Sequence, residues 1–465
     1  MQSVNPATEE VLENFEELSP QQVDAALQRT HDAFLAWRTT GFGERSSRVQ
    51  AVGRVLRQQK ARWARLITEE MGKPIVEAEA EVEKCAWNCD FYAEHAAAFL
   101  SDEHVATNAQ ESFVAFQPLG VVLAIMPWNF PFWQVVRFAA PAFMAGNGAV
   151  LKHASNVPRC ALALQEVFEQ AGLPRGLFHT LLIPGSGVEA VIADPRVAAV
   201  TLTGSSEVGE QVASAAGRHL KKQVLELGGS DPFIVLAGAD LDAAAKTAAR
   251  ARNQNSGQSC IAAKRFIVEA AVAEEFTDKF TAAVKALHVG DPTQRDTNVG
   301  PMARGDLRDT LQRQVDASVS QGARAVLGGG PLDGKGYFYA PTVLEGVSPQ
   351  MPAFREELFG PVAAVLPARD ADHAISLAND TEYGLGANLW SRDTERAKAL
   401  ARRIEAGSVF INGMVASDPR LPFGGVKRSG YGRELGAFGI REFTNIQTIW
   451  VGPAKEAAPV QTQSE

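Results

Sequence analysis

The chain has 465 residues, 46% hydrophobic and 21% charged, with 40 glycines and 24 prolines, a balance that excludes a disordered chain and a disulfide-dense mini-protein. Forty-five Lys and Arg against 54 Asp and Glu leave a net charge of −9, with no basic block to neutralise a phosphate backbone, so nucleic acid is not an expected partner. Four cysteines, Cys85, Cys89, Cys160 and Cys260, are too few to staple a chain this long and fit a reducing compartment.

The first residues, Met1 to Glu10, lack the basic start and apolar run of a signal peptide. From Gln21 to about Leu100, apolar positions such as Val23, Ala26, Leu27, Ala33, Phe34 and Trp37 recur at helical spacing. Residues 104–107 and 112–116 read as a hairpin, and 121–125 as a buried strand. Helices at 132–145, 158–171, 187–193 and 207–217 then alternate with strands at 148–152, 178–183, 198–202 and 232–236, the signature of a doubly wound parallel sheet. The apolar stretch Val121 to Leu151 is broken by Pro127, Pro131, Arg137 and Pro141, so it cannot supply the roughly 20 apolar residues of a membrane span. A soluble, cytoplasmic protein without membrane partners is expected.

A second α/β set follows. It has helices at 240–256, 271–286, 303–320, 371–378 and 392–404, and strands at 264–268, 324–327, 341–345, 362–365, 386–390 and 408–411. A β-like run, Phe443 to Val451, precedes a polar tail from Ala454 to Glu465 expected to be disordered. The terminal run and the 101–118 hairpin leave edges for a partner strand, pointing to oligomerisation, or else they extend the chain's own sheets.

Cys260 stands in a Gly/Ser/Asn turn, Asn255-Ser-Gly-Gln-Ser-Cys260, where a thiol is reachable and can face backbone N–H groups. Alone, a single Cys is more often a small core residue than a functional one. Glu226, between two leucines and before Gly228-Gly229, has the apolar surroundings that raise a carboxyl pKa toward neutrality, unless it simply faces solvent at a strand end. Asn129, held between Pro127 and Pro131 after a strand, can donate into the crevice as an oxyanion hole requires, or serve only the turn. Gly185-Ser-Gly187 reads as a βα turn, and Thr203-Gly204-Ser-Ser-Glu-Val-Gly209 as a helix start able to hold a pyrophosphate or merely to cap. Cys85 and Cys89, one helical turn apart without a histidine pair, read as a packed face, and no metal site is expected.

Five motifs, Met126-Pro-Trp-Asn-Phe-Pro131, Leu225-Glu-Leu-Gly-Gly229, Asn255-x-Gly-Gln-x-Cys260, Glu356-Glu-Leu-Phe-Gly-Pro361 and Pro422-Phe-Gly-Gly-Val-Lys-Arg-Ser-Gly430, together resemble the aldehyde dehydrogenase superfamily. Within it the chain is similar to the bacterial NAD(P)-dependent succinate-semialdehyde dehydrogenases. The resemblance implies an α/β fold with a Rossmann-like cofactor domain (1–100 and 119–228), an α/β catalytic domain (229–438), an oligomerisation element (101–118 and 439–455) and a tail (456–465). It implies a homodimer or homotetramer. Cys260 would attack the aldehyde, Asn129 and the Cys260 N–H would hold the oxyanion, and Glu226 would activate water to hydrolyse the thioester. Pro127, Trp128, Lys152, Ser155, Gly204, Ser205, Gly209, Leu227, Glu357 and Phe359 would bind the cofactor. Ser155 occupies the position where NAD-preferring relatives carry a Glu, so NADP is expected to be accepted and favoured over NAD.

The resemblance also implies that Arg137 and Ser417 bind the far carboxylate of a short ω-oxo acid, succinate semialdehyde. The alternatives are another short aldehyde, such as glutarate semialdehyde or glycolaldehyde, or a thiol hydrolase pairing Cys260 with a histidine. Two positions depart from the pattern. Gln254 replaces a second arginine, so carboxylate binding is expected either to be weaker or to borrow Arg420, and Ala262 removes a nearby cysteine.

Overall fold

The computed structural model describes residues 1–453, and the polar tail expected to be disordered lies outside the described residues. Four helices, Pro20–Trp37, Phe42–Gln58, Lys60–Met71 and Ile75–Phe99, account for the periodic first hundred residues. Before them the short strands Gln2–Val4 and Val11–Asn14 pair antiparallel, an element the polar sequence does not announce.

Two sheets carry the architecture. In the first, Phe178–Thr180, Gly148–His153, Val121–Met126, Val197–Thr203 and Lys222–Glu226 run parallel, in the chain order 3-2-1-4-5. The order reverses between Val121–Met126 and Val197–Thr203, so the loops leaving those two strands diverge and open a crevice at their carboxyl ends. Asn129 leaves the first and Gly204 the second. All six residues of Val121–Met126 are buried, as befits a central parallel strand covered on both faces. Lys222–Glu226 is not among the predicted elements because only Val224 and Leu225 of its five residues are apolar.

The second sheet has seven strands: Arg324–Leu327, Thr342–Glu345, Val362–Ala368, Ala263–Glu269, Asp231–Val235, Gly386–Trp390 and Ser408–Ile411 in spatial order. All pairings are parallel except that of the edge strand Arg324–Leu327. Their bounds agree with the expected strands to within a few residues, but Asp231–Val235, read from the sequence as the last strand of the first set, pairs instead with Ala263–Glu269 and Gly386–Trp390 in this sheet. The chain then returns to the first sheet before residue 438, where Gly430–Tyr431 pairs antiparallel with Leu225–Glu226.

The hairpin and the terminal run form one three-stranded sheet, with Thr444–Val451 along the full length of Glu111–Pro118 and Glu103–His104 on the other side. Its outer strand exposes Ile446 at 62% and Trp450 at 49%, unusual for large apolar side chains on a finished surface. Cys85, Cys89 and Cys160 are buried, free thiols within the helical core. No described helix is long and apolar enough to cross a membrane.

Candidate active site

The helix expected over 240–256 ends early, at Asn253, and this correction positions the thiol. Asn255, Ser256 and Gly257 all take left-handed backbone, with φ of 55°, 54° and 73°. Such a run reverses the chain and costs about 1–3 kcal/mol at each non-glycine residue, so surrounding contacts must hold it. They do. The Asn255 amide donates to the backbone carbonyls of Asn129 at 2.8 Å and Gln258 at 3.0 Å, and its N–H donates to Glu77 at 2.7 Å. Any Cβ at Gly257 would collide with the backbone of Gly360. Replacing Gly257 with Ala is therefore expected to displace Cys260 and reduce turnover at least about tenfold while leaving most of the fold intact; steady-state kinetics beside circular dichroism checks this.

Cys260 sits half-buried at the base of a cavity of about 320 Å³ that Arg137, Gln254 and Ser417 also line. The packed surroundings push its thiol up to about 12, partly offset by the Lys264 ammonium, whose Nζ donates to the Cys260 carbonyl at 2.7 Å. This burial works against the thiolate that the N–H groups of the turn are expected to stabilise. Alkylation of Cys260 by iodoacetamide should rise about tenfold per pH unit from pH 7 to 9. A plateau near pH 8 would show a thiolate already formed.

Asn129 meets the nucleophile loop directly, its Nδ2 donating to the Gln258 carbonyl at 3.1 Å. One amide hydrogen is spent there and one remains. Glu226 does not line the cavity. It ends its strand one layer back, buried, with both carboxylate oxygens unpartnered among the described residues and Oε1 2.8 Å from where a Cβ on Gly424 would stand. Burial first, and the neighbouring Glu434 second, hold its pKa well above the usual carboxylate range, against the pull of Arg137 and Arg433. The following turn touches the nucleophile segment, since a Cβ on Gly229 would lie 2.7 Å from the Cys260 carbonyl.

Arg137 lies within hydrogen-bonding reach of Thr203 Oγ1 at 3.4 Å, ion-paired to Glu434 and stacked 4.8 Å from the Phe423 centroid. Ser417 Oγ accepts from Lys84 Nζ at 2.7 Å. Lys84 also lines the cavity, and sequence reasoning missed it: nothing in Glu83-Lys84-Cys85 separates it from a solvated helix face. The vacancy left by Gln254 was the available signal, but it pointed to Arg420. Arg420 does not serve, because it lies on the surface, bound to Asp418 at 2.6 Å.

Lys152 and Ser155 share a second hollow, of about 360 Å³, with Asn156, Pro184 and Gly185. Burial lowers the Lys152 pKa. Asn156, absent from the sequence expectations, has its side-chain Nδ2 and Oδ1 buried without partners among the described residues. A lysine, a hydroxyl and an unpaired amide suit the ribose and phosphate oxygens of a dinucleotide. Ser205 caps the helix Ser206–Arg218, its hydroxyl accepting from the Val208 N–H at 3.4 Å, and Gly204 N–H donates to the Glu226 carbonyl at 3.0 Å. Gly209 lets that helix close on Leu227, since a Cβ there would stand 2.6 Å from the Leu227 side chain. Trp128, next to Pro127, packs edge-on against Phe359 at 5.7 Å. Glu357 is fixed by the Gly229 N–H at 3.1 Å and by Lys264 at 3.4 Å. The Gly185–Gly187 segment is a short 3-10 turn leading into the helix Val188–Ala193, as its reading as a βα turn expects.

Comparison with known proteins gives the same answer across the chain. The model of the aldehyde dehydrogenase family matches residues 1–449. A probable NADP-dependent succinate-semialdehyde dehydrogenase from Synechocystis is 53% identical over 97% of this chain and 99% of its own. An Escherichia coli succinate semialdehyde dehydrogenase described as using NAD(P) is 51% identical over 96% of this chain and 97% of its own. The crystal structure of succinic semialdehyde dehydrogenase from Streptococcus pyogenes in complex with NADP is 39% identical, covers 97% of this chain and 100% of its own, and superposes with a TM-score of 0.95. The chain belongs to the aldehyde dehydrogenase family.

Proposed function

We propose that the protein oxidises succinate semialdehyde to succinate with NADP or NAD, through a thioester on Cys260. The observation that carries this reading is a single cavity that places the Cys260 thiol and the carboxylate-binding candidates Arg137 and Ser417 on one lining. When bound, the nicotinamide cofactor supplies the hydride acceptor. In the reading, the Cys260 thiol gives up its proton to water as its sulfur bonds to the aldehyde carbon and the C=O π pair moves onto oxygen, and the free hydrogen of the Asn129 amide and the Cys260 N–H stabilise that oxyanion. Loss of hydride from that carbon leaves a thioester. Glu226, with no hydrogen bond fixing its rotamer, turns to take a proton from water; hydroxide adds to the thioester carbon, the C–S bond breaks, and succinate leaves.

The Lys152, Ser155 and Asn156 hollow supports NADP, because it offers these donors to a 2′-phosphate and has Ser155 where NAD-preferring relatives carry a Glu; Glu17 is the one carboxylate that also lines it. Ser155→Glu should lower the NADP-to-NAD ratio of kcat/KM by about tenfold or more, and an unchanged ratio would defeat this assignment. A direct test of the reaction follows reduced-nicotinamide absorbance with succinate semialdehyde and with butanal, each with NADP and NAD. Charge-assisted hydrogen bonds worth about 1.5–3 kcal/mol predict about a tenfold to hundredfold preference for the semialdehyde. Equal kcat/KM values would remove the substrate assignment.

The exposed strand Thr444–Val451 supports a homo-oligomer, dimer or tetramer, in which the three-stranded sheet meets a second copy. Four free thiols fit residence in the cytoplasm.

A further inference from the structure

The family reading gives the substrate carboxylate to an arginine, yet Arg137 is already occupied. Its guanidinium is ion-paired to the buried Glu434, within reach of Thr203 Oγ1, and stacked on Phe423. An incoming carboxylate must compete with Glu434 for that charge. Lys84 stands differently in the same cavity. It projects from the helix Ile75–Phe99, with Nζ 2.7 Å from Ser417 Oγ and 4.4 Å from the Trp133 ring centroid. No carboxylate lies within ion-pair distance of it among the described residues. Glu81, on its own helix, is taken by Lys73, and Asp418 by Arg420.

An ammonium withdrawn from water without a counter-ion is costly, and the cost is recovered only when an anion arrives. Burial, and then the nearby Arg137, lower the Lys84 pKa to about 8, which leaves it mostly charged at neutral pH and short of an anion. Gln254 lines the cavity without a charge, and Arg250 is exposed to solvent at its mouth, where water screens it.

We propose that Lys84 is the principal cation for the far carboxylate of the substrate, with the Ser417 hydroxyl as its co-donor, while Arg137 is held back by Glu434. Ser417 accepts from Lys84 and so keeps its own hydrogen free for a carboxylate oxygen. Specificity for a carboxylated aldehyde then resides on the helix Ile75–Phe99 as well as on the loop that carries Ser417. This inference deepens the substrate reading above and rests on it for the identity of the aldehyde.

The test compares the parent enzyme with K84M, K84R and R137M. For K84M, kcat/KM for succinate semialdehyde should fall about tenfold or more, mainly through KM, with kcat/KM for butanal within about twofold of the parent. K84R should recover part of the loss, and R137M should lose less discrimination than K84M. A loss shared equally by both aldehydes, or discrimination lost only in R137M, overturns the proposal. A second readout needs neither cofactor nor turnover: the concentration of succinate that half-protects Cys260 from iodoacetamide. Protection of the parent and K84R that weakens about tenfold in K84M supports Lys84 even if butanal is oxidised as well as the semialdehyde, a result that would sink the substrate reading alone. Protection that is absent from the parent, or equal in parent and K84M, overturns the Lys84 assignment whichever aldehyde is preferred.

Discussion

Cys260→Ala abolishes aldehyde oxidation, with an expected fall in kcat of about 10⁴ or more. The magnitude follows from covalent catalysis: without the sulfur no tetrahedral adduct forms, and the remaining groups are arranged around an atom that is missing. The fold should survive, because the side chain is half-buried and the loop is held by Asn255, Glu77 and Gly360, none of which contacts the thiol through a hydrogen bond. Binding of the reduced cofactor, read by fluorescence, should be unchanged, since the proposed cofactor hollow around Lys152 and Ser155 is separate from the substrate cavity. A variant that keeps parental turnover contradicts the assignment of Cys260.

Glu226→Gln is expected to stop the cycle halfway. It lowers the steady-state rate by about 10²–10⁴ yet leaves one burst of reduced cofactor per active site, because the first half of the reaction needs only the sulfur and its oxyanion donors. The pH dependence gives an independent reading. Burial and Glu434 hold the Glu226 pKa well above the usual carboxylate range, and only its ionised form accepts a proton from water. The parental rate should therefore climb with pH as Glu226 ionises, and the climb should vanish in the Gln variant.

Stability moves the opposite way. The folded-state pKa of Glu226 lies above its unfolded value, so between the two values the folded chain binds more protons than the unfolded one. Glu226 therefore contributes a loss of stability as pH rises through that window, beside those of Glu77, Glu357 and Glu434, whose pKa values burial also raises. Glu226→Gln removes this term and should melt at a higher temperature than the parent at pH 8. Lower activity with equal or greater thermal stability separates a catalytic defect from misfolding. A variant lacking the burst would place Glu226 in the first half-reaction.

Much of the architecture was legible in the residues, because the periodicity is strong where burial is complete. The strand Val121–Met126 is apolar throughout and the helix Trp133–Met144 is apolar but for Gln134 and Arg137, and every residue of both is buried. Legibility failed where the backbone departs from regular geometry. The helix expected to reach residue 256 stops at Asn253 because three left-handed residues turn the chain toward Asn129, and the letters Asn-Ser-Gly give the turn without its exact start. The strand Lys222–Glu226 was hidden because only Val224 and Leu225 of its five residues are apolar.

For the site, the motifs carried Cys260, Arg137 and Ser417 to one cavity and Asn129 to the loop that bears the nucleophile. What spacing does not reveal is who partners whom. Arg137 is bound to Glu434, Glu357 to Lys264, and the vacancy at Gln254 is answered by Lys84, which approaches from a helix remote in sequence, whereas Arg420 turns outward. Such pairings depend on packing between segments, and no local pattern encodes them.

The central claim is that the substrate becomes covalently attached to one sulfur. Rapid acid quenching of the Glu226→Gln protein with succinate semialdehyde and NADP, followed by peptide mass spectrometry, reads this directly. The expected result is a succinyl group on the peptide carrying Cys260, in proportion to the cofactor reduced. Full cofactor reduction with no adduct on that peptide, or with the adduct on Cys85, Cys89 or Cys160, would contradict it.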